Sequence, residues 1–307
     1  MTLEKLVAAE LAEPVDPRVA AMAEAIAARH SPASRAVLFY GSCLREANLD
    51  GLMLDFYLIV ADYEQAFGKG WLAVANRLLP PNVFPFEHHG LLAKYAVLSE
   101  TDFVRLASSR TRNVSVWARF AQPSRLAWTA DAAARQRSIE AVAGAAPALL
   151  AAARPMLPDR VSIEHLWSEA FALTYAAELR AERKGRASSV VASDPGRYRR
   201  FTAPALDAAG LAASIEGENV HFDQRLSTAD RRTGATLWKR RRREGKALTL
   251  ARLAKASTTY AGGIDYLAWK INRHAGAAIQ IKPWQRRWPI LGAISLLPKL
   301  LARGAVR

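Results

Sequence analysis

The chain has 307 residues, a formal net charge of +15 and one cysteine, Cys43. The length supplies one large domain or two ordinary ones with ample material for a core. The single cysteine excludes an intramolecular disulfide and a cysteine-built zinc cluster, and suits a reducing compartment. Charge is unevenly spread: residues 236–307 hold 16 Lys and Arg against two acids, Glu244 and Asp265, a net of +14, so the preceding 235 residues carry about +1. A neutral globular part followed by a cationic end points to a polyanionic partner, either nucleic acid or an anionic membrane surface.

The first residues, MTLEKLVAAELAEPVD, carry Glu4, Glu10, Glu13 and Asp16. They lack an apolar signal core and arginine-rich amphipathic character, so neither a secretory nor a transit segment is expected. Residues 17–30 space Val19, Met22 and Ile26 as a helix does. Residues 36–40 and 52–61 are aliphatic and aromatic and predict strands. Residues 63–79 predict a helix ended by Pro80-Pro81, with Gly68-Lys69-Gly70 as an interruption rather than a phosphate-binding loop. Strands at 82–87 and 91–99 flank a His88-His89-Gly90 turn. From residue 100 the pattern becomes mostly helical, with long helices expected at 130–153 and at 163–183, the latter capped near Ser162. Residues 184–235 are polar, broken by Gly and Pro, and show little periodicity.

These elements predict an α/β (α+β) fold with a mixed sheet. Three regions are expected: a catalytic domain over 1–125, a mostly helical domain over 126–235, and a basic segment over 236–307 that contacts a membrane surface. The last follows from IQIKPWQRRWPILGAISLLPKLLARG, where Trp284 and Trp288 flank Arg286 and Arg287 ahead of a leucine-rich run. Tryptophan beside arginine at the edge of an apolar stretch is the composition of an interfacial anchor. The apolar run 289–298 is too short for the roughly 20 residues that span a bilayer. An internally packed C-terminal helix remains the alternative, and the basic run 239–243 reads equally as a solvated face.

The chemistry concentrates in FYGSCLREANLDGLMLDFYLIV, residues 39–60. One carboxylate, Asp55, sits in a strand otherwise too apolar to bury it without a cation or proton. A strand delivering Gly41-Ser42 into a loop and returning with an acid resembles the active-site arrangement of the nucleotidyltransferase superfamily. Gly41 lets backbone approach a triphosphate and Ser42 donates to phosphate oxygens, while acids hold Mg²⁺ as pyrophosphate leaves. The superfamily's second acid lies two residues before the first, where this chain has Met53. Asp50 is therefore the expected second metal ligand and Glu87 the third. The alternative for Asp55 is structural: a helix cap, or a pair with Arg45. Metal binding by His88 and His89, and nucleophilic chemistry at Cys43, are disfavoured because no partner groups lie at suitable spacing.

Four stretches in order resemble one family, the mitochondrial-type phosphatidate cytidylyltransferases, also called mitochondrial translocator assembly and maintenance proteins. They are FYGS at 39–42 with MLDF at 53–56, LLAKYAVLS at 91–99, ARFAQPSR at 118–125 and ALTYAAELR at 172–180, with KASTTYAGGIDYLAWK at 255–270 a weaker match. The segment 63–81 departs from the family, whose corresponding stretch is rich in histidine and asparagine. The shorter loops resemble a bacterial member. The resemblance implies a nucleotidyltransferase-like domain that transfers CMP from CTP to phosphatidic acid, with Mg²⁺, giving CDP-diacylglycerol and pyrophosphate for phospholipid synthesis. It implies catalysis by Asp55, Asp50 and Lys94, and nucleotide contacts from Tyr40, Gly41, Ser42, Lys94, Arg119 and Arg180. It also implies a cytoplasmic location, peripheral on the inner face of the cell membrane, with lipid preferred over nucleic acid as the polyanion. Lys94 has the alternative of a solvated strand-end lysine, and Arg119 and Arg180 that of structural ion pairs. Two rival functions stay open: a nucleotidyltransferase acting on RNA or a small alcohol, and a catalytically degenerate fold serving as a nucleic-acid or membrane-binding module.

Overall fold

The computed structural model describes residues 1–46, 48–68, 70–178, 186–259 and 281–287, and for residues 45, 186–187, 253–254, 256–259 and 286–287 it describes backbone alone. Two short helices open the chain, α1 (Leu3–Leu11) and α2 (Pro17–Arg29). Asp16 caps α2, accepting from the Arg18 amide at 2.8 Å, with Pro17 in the first turn where its missing N–H costs nothing. Val19, Met22 and Ile26 then face inward, as their spacing predicts. The sheet begins with β1 (Ser34–Tyr40) and β2 (Met53–Val60), followed by α3 (Tyr63–Ala66), α4 (Gly70–Leu78), β3 (Asn82–His88) and β4 (Leu91–Ser99). The helix expected over 63–79 is thus two helices, broken at the glycine-containing interruption.

A helical layer follows: α5 (Glu100–Leu106), α6 (Ser115–Phe120), α7 (Ala132–Ala143), α8 (Ala145–Ala153) and α9 (Ile163–Ala177), with β5 (Ser124–Thr129) and β6 (Arg160–Ser162) between them. Ser162 caps α9 as expected, accepting from the His165 amide at 3.2 Å. The helix predicted over 130–153 is divided at Gly144, where an added Cβ would stand 3.3 Å from the Ala107 carbonyl. Residues 184–235, which lack periodicity, nevertheless hold α10 (Arg186–Ala192), α11 (Pro195–Ala208), β7 (Ala213–Glu216), β8 (Asn219–Phe222) and the start of α12 (Thr228–Thr259). The last described element is α13 (Pro283–Arg287).

The main sheet is five-stranded and mixed, in the order β3-β4-β2-β1-β5. β1 lies antiparallel to both β2 and β5, β2 runs parallel to β4, and β3 is antiparallel to β4. A second sheet, β6-β8-β7, is small and antiparallel. One face of the main sheet packs Val37, Phe39, Leu54, Phe56 and Leu58 against α2 and α3. The other packs Leu38, Tyr57, Ile59 and Leu98 into one continuous core with Trp117, Trp167 and Trp238 from the helical layer. The boundaries expected at 125 and 235 fall inside β5 and α12, and sheet and helices share that core. No helix among the described residues is long and apolar enough to cross a membrane.

Helix α12 carries the basic run 239–243, yet it is docked along its length. Trp238 is fully buried and donates its indole N–H to the Ala152 carbonyl at 2.9 Å. Gly234 and Gly245 allow the close approach: a Cβ on Gly234 would lie 2.2 Å from Pro155, and one on Gly245 2.1 Å from the Ala177 carbonyl. Replacing a helical glycine by alanine ordinarily adds up to about 1 kcal/mol of stability. At Gly245 the clash is with backbone at the end of α9, and overpacking of this kind costs about 1–3 kcal/mol. Gly245→Ala is therefore expected to lower the urea midpoint, and a raised midpoint would show that α12 does not seat there.

Candidate active site

Asp55, Lys94 and Tyr40 stand in one row across the sheet. In the parallel β2–β4 ladder Asp55 is in register with Lys94, and in the antiparallel β1–β2 ladder it faces Tyr40. Paired residues point to the same face, here the face covered by the helical layer. Lys94 Nζ lies 2.8 Å from Asp55 Oδ1, with 28% and 21% of the side chains exposed. The oxygen is shielded from solvent and makes no well-aligned hydrogen bond, so its stabilisation is the ionic contact with the ammonium. Lys94 is thus the cation that the apolar strand requires, rather than a solvated strand-end lysine.

Beyond Tyr40 the chain turns at Gly41, whose φ of +96° lies in the region that disfavours a side chain. A Cβ here would sit 3.2 Å from Asp55 Oδ2, so the glycine serves both the turn and the approach to the carboxylate. Ser42 opens a short 3₁₀ turn, Ser42–Arg45. Cys43 is buried and donates to the Met53 carbonyl at 3.5 Å. Burial, then the nearby Asp55, push its thiol pKa up, which suits a packed side chain and not a nucleophile.

The helical layer brings a second charged group over this row. Arg119, from α6, donates to the Ser115 carbonyl and lies 3.6 Å from Glu178, which is itself buried and accepts from the Ser115 hydroxyl. Burial opposes the Arg119 charge, but Glu178 first, then Tyr57, Tyr40 and Asp55, outweigh it and raise its pKa. Burial, then Asp55, hold the Tyr40 hydroxyl well above the ordinary phenol range, with Arg119 pulling the other way. Two cations of α12 complete the wall. Arg252 donates to the Ser115 hydroxyl at 2.8 Å and to the Pro80 carbonyl at 2.9 Å. Lys255 donates to the carbonyls of Pro81, at 2.9 Å, and Leu79.

Asp50 and Glu87 stand apart from Asp55. Asp50 lies in the turn before β2, 72% exposed and 3.3 Å from Arg18. Glu87 is exposed at the far end of β3, in register with Leu92 rather than Lys94. Among the described residues no group of three or more His, Cys, Asp and Glu could hold a metal ion. Asp55 alone fits an ion already carried by phosphate oxygens, as Mg²⁺ is commonly held, and not an ion held by the protein's side chains alone. Arg180 and Trp288 lie outside the described residues, as do the side chains of Arg286 and Arg287; Trp284 in α13 is exposed.

Sequence reasoning missed Glu178, Ser115, Arg252 and Lys255. Glu178 stands two residues before Arg180 within a stretch singled out above, and Arg252 and Lys255 share a helix face by their spacing of three. Nothing in the sequence signals that these segments meet. No family model matches the chain, and no curated protein matches it.

Burial, then the neighbouring Arg252, lower the Lys255 pKa to about 7. A folded pKa below the unfolded one means that the unfolded chain binds more protons above pH 7, so stability rises with pH there. Burying Lys255 is costly below about pH 7, and the cost is relieved as pH climbs towards the ordinary lysine value. Between pH 7 and 9 the wild type should gain stability relative to Lys255→Met, read from paired denaturation midpoints. Parallel pH profiles would show that Lys255 stays charged against those carbonyls.

Proposed function

We propose that the chain is a phosphatidate cytidylyltransferase, transferring CMP from CTP to phosphatidic acid to give CDP-diacylglycerol and pyrophosphate. The observation that carries this reading is the close approach of Gly41 to Asp55, where a Cβ would stand 3.2 Å from the carboxylate. A Gly-Ser turn at the exit of one strand, held against the acid of the next, is what a triphosphate-binding loop beside a metal-associated carboxylate requires. The mixed β4-β2-β1 order supports a nucleotidyltransferase-like domain. The family resemblance supplies the nucleotide and the lipid.

In this reading the lipid phosphomonoester oxygen attacks the α-phosphate of CTP, the bond to the β-phosphate breaks, and pyrophosphate leaves. A phosphomonoester is already largely ionised near neutral pH, so the site needs no strong general base. Mg²⁺ arriving with the nucleotide supplies neutralisation of charge on phosphate oxygens. Asp55 would help to hold that ion, Lys94 holds Asp55 in place and would lie beside the triphosphate, and Arg119, paired with Glu178, stands above the row. Catalysis is positioning and electrostatic stabilisation.

The acceptor resides in a bilayer, and the surface carries a feature suited to one. Trp71, Val74 and Leu78 of α4 are 51%, 52% and 78% exposed, and they follow one another along one face of the helix. Lys255 bonds the carbonyls of Leu79 and Pro81, so the end of α4 is fixed against α12. An exposed apolar stripe fits peripheral binding to a membrane surface, with Trp284 and the basic C-terminal segment as further contacts. Such binding would place the protein on the cytoplasmic side of the cell membrane.

A second reading rests on the single carboxylate: with Asp50 turned to Arg18 and Lys94 opposite Asp55, the fold would serve as a binding module. An assay with purified protein, Mg²⁺, α-labelled CTP and phosphatidic acid in mixed micelles separates the two. Label should enter the organic phase only with lipid and without chelator, and Asp55→Asn should lower turnover by on the order of 10² or more. Near-normal activity in that variant would sink the assignment, and absent transfer with absent Mg-CTP binding would favour the module.

Trp71→Ser and Leu78→Ser alter exposed side chains, so stability should change by no more than about 0.5 kcal/mol. Both should weaken sedimentation with phosphatidic-acid vesicles while sparing turnover of a short-chain, water-soluble phosphatidic acid. Unchanged vesicle binding would remove α4 from the membrane contact.

A further inference from the structure

Two apolar side chains, Met53 and Leu92, share the face of Asp55 and Lys94 yet belong to neither core. Side chains alternate along a strand, so Met53 points with Asp55 and Leu92 points with Lys94. The parallel ladder pairs Met53 with Leu92, one row nearer the end of the sheet than Asp55 and Lys94. The row on the inner side, Tyr57 with Ala96, is buried under the helical layer. Outward from it the cover ends: Asp55 and Lys94 are part-exposed, Met53 likewise, and Leu92 is 42% exposed. The end of the sheet is therefore a shelf open to solvent, with Lys94 at its inner edge. On β3, Pro85 stands beside Lys94, and the exposed Glu87 stands beside Leu92 at the outer corner. A single exposed leucine is ordinary, but a cross-strand apolar pair on the face of a candidate site marks a contact.

We propose that this shelf receives the apolar body of the acceptor, the glycerol ester and first methylenes of phosphatidic acid, and so sets the side from which the acceptor attacks. The inference rests on the cytidylyltransferase reading and adds a direction to it. Across the open end of the sheet the Gly41-Ser42 turn leaves β1 on one side of Asp55, and Lys94 on β4 stands on the other. With the β- and γ-phosphates at the turn, the α-phosphate lies over Asp55. Attacking and leaving oxygens lie roughly in line through phosphorus, so an acceptor opposite the turn comes in over β4. Its phosphate meets Lys94, the cation of that side, and Glu87 repels it from the outer corner. Its ester then covers Met53 and Leu92, apolar surface on apolar surface. Cytosine suits the shelf poorly, because its amino and carbonyl groups find no polar partner on Met53, Leu92 or Pro85. Met53 is in this account an acceptor contact rather than a lost metal ligand.

The test is steady-state kinetics of the full chain with Mg²⁺, labelled CTP and two water-soluble acceptors, dihexanoyl phosphatidic acid and sn-glycerol 3-phosphate, which lacks the apolar body. Wild type should prefer the dihexanoyl lipid by at least about tenfold in kcat/KM. Met53→Gln, which keeps the length of the side chain, and Leu92→Thr, which suits a strand, should each raise the KM for that lipid at least about fivefold. Their kcat, their KM for CTP and their kcat/KM for sn-glycerol 3-phosphate should stay within about twofold of wild type, the pattern of a lost binding contact. Both side chains reach solvent, so the fold should be retained, and circular dichroism checks it. An unchanged KM for the lipid in both variants, or a wild type that uses the two acceptors equally, would overturn the inference and leave cytidylyl transfer standing. A raised KM for CTP in place of the lipid would place the nucleoside on the shelf and overturn it likewise. No transfer by wild type to either acceptor would overturn the inference together with the reading on which it rests.

Discussion

A carboxylate on the inward face of a central strand constrains everything built around it. Transferring Asp55 from water into the neighbourhood of Leu54, Phe56 and Tyr57 is costly unless a cation travels with it. Lys94, on the parallel neighbour strand and in register, lies 2.8 Å away and meets that need. The pair holds only while β2 and β4 keep their register, because a slip of one residue would turn Lys94 to the opposite face. On the other side, β1 brings Tyr40 and then Gly41 against the same carboxylate. The row from Lys94 through Asp55 to Tyr40 therefore ties three strands together and fixes where the Gly-Ser turn must lie.

The helical layer sets arginines over this row beside its apolar cover, Phe120 against Tyr40. Arg119 and Arg252 meet at Ser115, and Glu178 is the buried carboxylate between them. The cationic surplus of the last 72 residues, which by composition alone suggests a surface for a polyanion, is in α12 partly internal. Arg252 and Lys255 bond backbone carbonyls around Pro80, and Arg241 stacks on the Trp238 ring. Cations on a helix can thus be docking devices: guanidinium and ammonium groups satisfy carbonyls that the ends of helices and strands leave open. Net charge measures the sum of such groups and is silent on which of them reach solvent.

Local signals made much of the sheet legible. Aliphatic and aromatic runs marked the sheet strands up to β4, the spacing of Val19, Met22 and Ile26 marked one helix, and Ser162 marked the start of another. The elements missed were those whose stability is tertiary. Strand β5 carries Arg125 and Thr129 at a sheet edge, and β7 and β8 are only four residues each. Helix α12 has polar residues almost all round and is held by Trp238 and two close glycine contacts that no periodicity reveals. At the site, Gly41 and Asp55 were visible because glycine and a lone acid violate the pattern of their strands. Asp50 was chosen by sequence distance from Asp55, and the fold instead turned it outward to Arg18. Glu178 and Arg252 lie 74 residues apart in sequence and meet through Ser115, a relation with no local signature.

Counting charge across the site bears on how a nucleotide would be held. Asp55 cancels Lys94 and Glu178 cancels Arg119, while Lys255, with a pKa lowered to about 7, carries at most part of a charge near neutrality. Arg252 remains, and burial lowers its pKa as well. One net cation, already bonded to Ser115 and Pro80, is little against the several negative charges of a triphosphate. Protein side chains alone would leave that charge largely uncompensated in a partly desolvated site, where each uncompensated charge is costly. A divalent cation bound to the triphosphate in solution, and entering with it, would close most of the gap without a second protein carboxylate. On this accounting Asp55 needs no acidic neighbour on β2, and a methionine at position 53 is compatible with a site whose metal comes from the substrate.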